Sequence, residues 1–530
     1  MKRNVWKVIG LLGLFLFLAG CATEKVAENG GKSNKEKSGT GGELKVALSA
    51  NIASLDPTTY TAQYESNVMR SIYNTLLVYD SDIKEFKPSL ATSWEISDDL
   101  KTYTFVLRDD VYFQKGKYQD GRKMVAEDVK YSLERSLETS ALNRLRYVKN
   151  VEVKSDTALT VELETPYAGF LAMLTDMGNV IVPQEEAEGW GDDFARHPVG
   201  TGPFSFVEWS TDDYVLTERN ETYWGDRPKL DTVRFSFIID SNMMGNSLQA
   251  GDIDVATSIS GQNIPLIEKN ESLSLEKTQG LSIGYLSFNT VEGPTADVKV
   301  RKAMALAVDK DELVKGIYQY GEASSAYLPL PKASWGYSQK VEAQMKAEFA
   351  TDIEAAKGLL AEAGHKEGFK IELYTSEARV PVATIFQAQM KALKIDVEIK
   401  SVEWGTFSDI VANGKAPLYI MGWSWYPDPD FFLYQMLHSA QIGSLGNGGQ
   451  YKNEQVDELL DRGNSETADE QERAAIYEEA LELIKEDVPH VDLYDQDIIV
   501  GLSQDVNGYK VRADGSIIIV DDETNVWLDR

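Results

Sequence analysis

Between Thr351 and Trp425 the apolar positions switch repeatedly between a period near 3.6 and a period of 2, the rhythms of helix and strand. Thr351-Asp352-Ile353-Glu354 forms a capping-box pattern, which predicts a helix through Leu359, Leu360 and Ala363 that stops at Gly364. A strand from Phe369 to Tyr374, a helix from Pro381 to Leu393 and a strand from Ile395 to Ser401 follow. A short helix from Phe407 to Ala412 then leads into a third strand, Leu418 to Met421. Strict alternation of helix and strand requires right-handed crossovers and a parallel sheet, so the fold class is α/β.

Open α/β sheets bind ligands beyond the carboxyl ends of their strands. Three segments reach that edge: Thr375 to Arg379, Val402 to Trp404, and Gly422 to Phe432. They bring the charges of Arg379, Glu403, Asp428 and Asp430 near the rings of Trp404, Trp423, Trp425 and Tyr426. Aromatic walls with a few fixed charges are what a small-molecule pocket needs. Each residue also has a purely structural reading. Glu377 and Arg379 can pair with each other, Trp423 can belong to the core, and Asp428 and Asp430 can be turn and cap residues around Pro429. The rings of Trp423, Trp425 and Tyr426 cannot all enter one core, so at least one faces a cleft or solvent.

Upstream, Trp94 to Arg108 alternates on both sides of a Ser97-Asp98-Asp99 turn and predicts a β-hairpin. Ala126 to Arg135 reads as a helix, and a capped helix begins at Thr467-Ala468-Asp469-Glu470 and is halted by Pro489.

The first twenty residues change the cellular picture. Lys2, Arg3 and Lys7 precede an eleven-residue apolar run, Val8 to Leu18, that ends in small residues before Cys21, the single cysteine. That run is too short to span a bilayer. The pattern predicts export followed by lipidation of Cys21, with two or more acyl chains for stable anchoring. Ala22 to Glu43 lacks aromatic residues and is dense in Gly, Ser, Asn, Lys and Glu, which predicts a flexible tether. It would hold the folded part roughly 25 Å from the lipid. The remainder, 43% hydrophobic overall and carrying most of a formal charge of −31, is large enough for two or three cores and argues against nucleic acid.

Catalytic signatures do not emerge. No nucleophile elbow, phosphate loop or His-Glu-x-x-His pair occurs, and His197, His365, His438 and His490 are widely scattered. Neither an enzyme nor a cofactor is expected.

Several motifs together resemble the peptide/nickel type of extracellular solute-binding proteins, which serve ABC importers. They are the Trp94–Arg108 hairpin with the following Val111 to Arg135 segment, Gly200-Thr201-Gly202-Pro203-Phe204, Asn220-Glu221-Thr222-Tyr223-Trp224, Phe288-Asn289-Thr290, Val300 to Asp309, and Gly422 to Phe432. The resemblance covers nearly the whole mature chain in order. It implies a two-lobed periplasmic-binding-protein-like fold of the large three-subdomain type, with a two-strand hinge and a central ligand cleft. Lobe I would be 44–283 plus 500–530, with an inserted subdomain at about 80–198, and lobe II would be 284–499. The hinge crossings would lie near Tyr285 to Phe288 and Val491 to Tyr494.

The resemblance further implies a monomeric binding lipoprotein that captures short peptides and delivers them to a permease and its ATPase. It would stand on the extracytoplasmic face of the membrane, most simply in a Gram-positive-type cell. Relatives hold the peptide backbone as an added strand, its carboxylate on an arginine and its amine on a buried aspartate. Arg379 lies in a loop similar to the one that supplies the arginine. The aspartate is missing, since Ser424 is followed by Trp425-Tyr426. Either Glu403, Asp428 or Asp430 replaces it, or the ligand stacks on Trp404, Trp423 and Trp425 without an amine contact. An oligosaccharide or a nickel chelate, the latter with His438 near the cleft, are the alternative ligands, and a secreted hydrolase is a distant alternative.

Overall fold

A computed structural model describes residues 41–140 and 145–530; Cys21, the export signal and nearly all of the tether lie outside these residues. Two long strands organise the rest. β1 (Glu43–Leu48) precedes α1 (Gln63–Ile72). A hairpin of β2 (Ala91–Ile96) and β3 (Thr102–Leu107) is followed by β4 (Val148–Ser155) and β5 (Ala158–Leu163). β6 (Phe204–Ser210), β7 (Tyr214–Arg219), β8 (Thr232–Phe237) and β9 (Val255–Ala256) come next, then the 16-residue β10 (Leu273–Phe288). The alternating region contributes α2 (Ile353–Glu362), β11 (Lys370–Thr375), α3 (Val380–Met390), β12 (Asp396–Ser401), α4 (Trp404–Ala412) and β13 (Leu418–Ser424). The chain closes with α5 (Glu470–Asp487) and the 14-residue β14 (His490–Ser503).

The large sheet runs β12-β11-β13-β10-β14-β9-β1-β8-β7-β6, with the short strand Ala323–Ser325 attached to β14. β11 is parallel to β12 and to β13, as the alternating pattern requires. β1 is parallel to β8 and β9, giving a second parallel centre in the other half. Only β10 and β14 run through both halves. They pair antiparallel from Leu273↔Ser503 to Gln279↔Asp497, lose register, and resume at Ile283↔Asp495. Two glycines allow that break. A β-carbon on Gly280 would stand 2.4 Å from the Gln496 carbonyl oxygen, and one on Gly284 would enter the Tyr494 ring. The register change thus sits just before the Tyr285 to Phe288 segment and just after Val491 to Tyr494.

The hairpin lies in a separate antiparallel sheet, β2-β3-β5-β4. Its turn is closed by the Ser97 N–H donating to Thr102 O at 2.9 Å, with Leu100 in the left-handed region at φ 54°. The capping box at Thr351 takes a different form. Asp352 caps α2 by accepting the Ala355 N–H at 2.9 Å, whereas the Thr351 hydroxyl donates to Val308 O at 3.3 Å. The helix after β12 also starts earlier than its apolar spacing suggests, at Trp404, because Glu403 caps it.

The apolar interior forms two main bodies. One gathers Leu44, Val46, Phe204, Phe235 and Leu528. The other runs without interruption from Tyr103, Phe105 and Phe170 to Leu373, Ile420, Phe432 and Leu437. The hairpin sheet therefore shares its core with the β11–β13 half. Tyr167 Oη donates to Asp430 Oδ2 at 2.7 Å and the Ala168 N–H to Asn464 O at 2.8 Å across the same contact.

Candidate functional site

The three loops at the carboxyl ends of β11, β12 and β13 converge, because these strands are neighbours with the same direction. β11 reaches β13 only at Leu373↔Leu418 and Tyr374↔Tyr419. β10, on the other flank, follows β13 to Ser424. Gly422 to Ser424 thus continue past their pairing with β11, with one edge carrying no further strand among the described residues.

Arg379 stands beside that edge. It follows β11 in a single 3-10 turn, Glu377–Arg379, and precedes α3. Its Nη2 would lie 2.5 Å from a β-carbon on Gly422, so glycine is what lets the guanidinium lie against the strand. Nη1 reaches Ser376 Oγ at only 3.5 Å, and the buried Nε has no hydrogen-bond partner among the described residues. Glu377 is exposed and forms no ion pair with Arg379 among the described residues. A half-buried cation with donors to spare suits a carboxylate, which accepts two parallel N–H bonds.

The aromatic residues form a stack. The Trp423 and Trp425 rings lie 5.9 Å apart at 22°, and Trp425 and Phe431 lie 6.0 Å apart at 9°. Trp423 is half-buried and fixed by its indole N–H donating to Phe431 O at 2.8 Å, whereas Trp425 keeps 36% of its surface exposed. Trp404 lies on Phe407 at 5.5 Å and is 49% exposed. Tyr426 points elsewhere and donates its hydroxyl to Asp176, which also accepts from Tyr60 Oη at 2.6 Å and the Gly178 N–H at 2.7 Å.

The acidic residues near this edge are occupied internally. Asp428 is 3% exposed and forms a two-bond ion pair with Arg473, 2.7 and 2.9 Å. Burial alone would lower the Arg473 pKa, but the charge and hydrogen bonds of Asp428 and the nearby Tyr477 hydroxyl together outweigh it and hold the guanidinium above its ordinary value. Asp430 accepts from Tyr167 and Asn464, and burial, then the Asp428 charge, raises its pKa. Both aspartates, expected either at the ligand or as turn and cap residues, are bound to other protein groups. Glu403 is exposed and accepts the Gly405 N–H at 2.8 Å as the cap of α4. His438 is buried against Tyr434, with Nδ1 accepting the Ala440 N–H and Nε2 3.4 Å from Asp461. Among the described residues no cluster of His, Cys, Asp or Glu could hold a metal.

A cavity of about 460 Å³ opens under Tyr426 and Pro427. Its other walls include Arg70 of α1, Tyr73 just after that helix, Tyr79, Arg108, Trp224 and Arg512. None of these was singled out from the sequence. They come from five separated stretches, and only Arg108 and Trp224 lay in motifs. Arg108 is bound to Asp110 and lies 4.5 Å from the Trp224 ring. Arg512 is bound to Asp521 and to the carbonyls of Tyr79 and Asp80.

The family model for bacterial extracellular solute-binding proteins, family 5 Middle, matches residues 85–444. Heme-binding protein A of Haemophilus influenzae is 30% identical, over 93% of this chain and 94% of its own length. The dipeptide-binding protein of Escherichia coli is 29% identical, over 83% and 86%. The solved ABC transporter-associated periplasmic binding protein DppA from Helicobacter pylori, in complex with the peptide STSA, is 31% identical with a TM-score of 0.77, covering 93% of this chain and 99% of its own. With the mixed sheet, the two through-running strands and the match along most of its length, this chain belongs to family 5 of the bacterial extracellular solute-binding proteins.

Proposed function

We propose that this protein is the peptide-binding component of an ABC importer. The observation that carries the reading is the open edge at Gly422 to Ser424 beside the underused guanidinium of Arg379. An extended peptide added there forms main-chain hydrogen bonds independent of its sequence. Arg379 takes a carboxylate, and the Trp423–Trp425–Phe431 stack with Trp404 provides walls for side chains. The peptide-bound and dipeptide-binding relatives support the same ligand class. Asp428 and Asp430 leave the ligand set because Asp428 is paired with Arg473 and Asp430 already accepts from Tyr167 and Asn464, and Glu403 stays at the rim.

On this reading, 44–283 with 500–530 and 284–499 act as two lobes that close on the ligand about the register break in β10 and β14. The shared core of the 80–198 region and the β11–β13 half adds a second contact between them. Lipidation of Cys21 holds the receptor outside the cell membrane, where a permease and its ATPase accept the closed form. No chemical step is assigned to it.

The reading is tested by isothermal titration with a tetrapeptide and its N-acetylated twin. Binding of both with similar affinity fits a site without an amine-anchoring carboxylate. Failure of di- to hexapeptides to bind, with saturable binding of an oligosaccharide or a nickel–histidine complex, would overturn it.

A further inference from the structure

The cavity under Tyr426 contains a charge that the protein does not neutralise. Arg70 lies in the last turn of α1, its Nε is buried without a hydrogen-bond partner, and the side chain forms no ion pair among the described residues. The two other arginines of the same wall are matched, Arg108 by Asp110 and Arg512 by Asp521. Tyr79, 8% exposed, also lines the cavity with a buried hydroxyl lacking a partner. The carboxylates around them do not complete the pair. One oxygen of Asp514 already accepts from Ser516 N–H and Oγ, and Asp226 and Asp522 are exposed. A buried donor without an acceptor costs free energy, and a charged one costs more than a neutral one. The cavity is roomy and partly aromatic, with Tyr73, Tyr223, Trp224 and Met177 on its walls.

We propose that this cavity is a carboxylate-recognising subsite in which Arg70 and Tyr79 together hold an acidic group of the ligand. Arg70 supplies the charge and Tyr79 Oη a further donor. The carbon chain carrying the acid lies against Trp224 and Met177. Tyr426 and Pro427, which continue directly from Trp425, connect the subsite to the aromatic stack. The assignment rests on the peptide reading above and deepens it: the receptor favours peptides that place a carboxylate in this cavity. That carboxylate comes from an acidic side chain or from the peptide's carboxyl end.

Calorimetry on the parent, Arg70→Met and Tyr79→Phe separates the two sources. The ligands are an alanine tetrapeptide, its C-terminal amide, and amides with glutamate at each position in turn. The parent is expected to prefer a carboxylate-bearing member over the plain amide by roughly tenfold or more. That ratio should collapse towards one in Arg70→Met and fall partway in Tyr79→Phe. The free acid as the preferred member assigns the carboxyl end; a glutamate amide assigns a side chain. An unchanged ratio in both variants overturns the subsite. If the parent binds no peptide, the peptide reading fails and Arg70 is read directly, by the ¹⁵Nε–H resonance that Arg70→Met deletes. A shift of that resonance on adding glutarate upholds the carboxylate site. No shift, or a shift with inorganic phosphate alone, overturns it.

Discussion

Arg379 and Gly422 are packed so that a single β-carbon on Gly422 would collide with the guanidinium, 2.5 Å from Nη2. The strand end and the cation thereby share one position. Gly422→Ala is expected to push Arg379 off the strand, weakening peptide binding by roughly tenfold or more while circular dichroism stays that of the parent. Calorimetry reads it, and an unchanged Kd would remove Arg379 from the site.

Trp425 lies in the stack yet remains partly exposed, so its ring has a free face to offer. Trp425→Ala is expected to cost roughly 1–2 kcal/mol of binding, near tenfold in Kd, with little change in thermal stability. Ligand-induced quenching of tryptophan fluorescence should shrink in the same variant. Tight binding with full quenching would show that the stack is a wall of the protein alone.

Asp428 and Arg473 form a buried, two-bond ion pair, and removing one partner strands the other charge. Asp428→Asn is expected to destabilise by about 3–5 kcal/mol. In the fraction that remains folded, peptide affinity should match the parent. Urea denaturation measures the first and calorimetry the second; a stable variant with lost binding would return Asp428 to the ligand.

Asp495 sits where β10 and β14 regain register, opposite Ile283, 2% exposed and with Lys332 Nζ 3.6 Å away. Burial raises its pKa from 3.8 to about 7 against the partial relief from Lys332. Between those values the folded state holds a proton that the unfolded chain has released, so this group makes stability fall as pH rises from about 4 to 7. Asp495→Asn should equal the parent near pH 4 and exceed it above pH 7, by roughly 1–3 kcal/mol. Denaturation curves at the two pH values test this, and a deficit at high pH would contradict it.

The alternating helices and strands from Ile353 to Ser424 were legible because each element is amphipathic at its own period, and their direction then fixed which loops meet. The acidic residues were harder to read. An aspartate before Pro429 or a glutamate before Trp404 has the same sequence signal whether it caps a helix or meets a ligand. What separates the cases for Asp428 is Arg473, 45 positions on, and for Asp430 Tyr167, 263 positions back. Arg70 lay inside an ordinary amphipathic helix, and only the fold shows that its partner is missing.

If short peptides occupy the site at Gly422 to Ser424, protein gently purified from its native membrane should release them on denaturation. Mass spectrometry of the released small molecules is expected to find a mixture of short peptides near one per protein, depleted when Gly422 is replaced by alanine. A single non-peptide species at that stoichiometry, a sugar, a heme or a metal chelate, would overturn the peptide site.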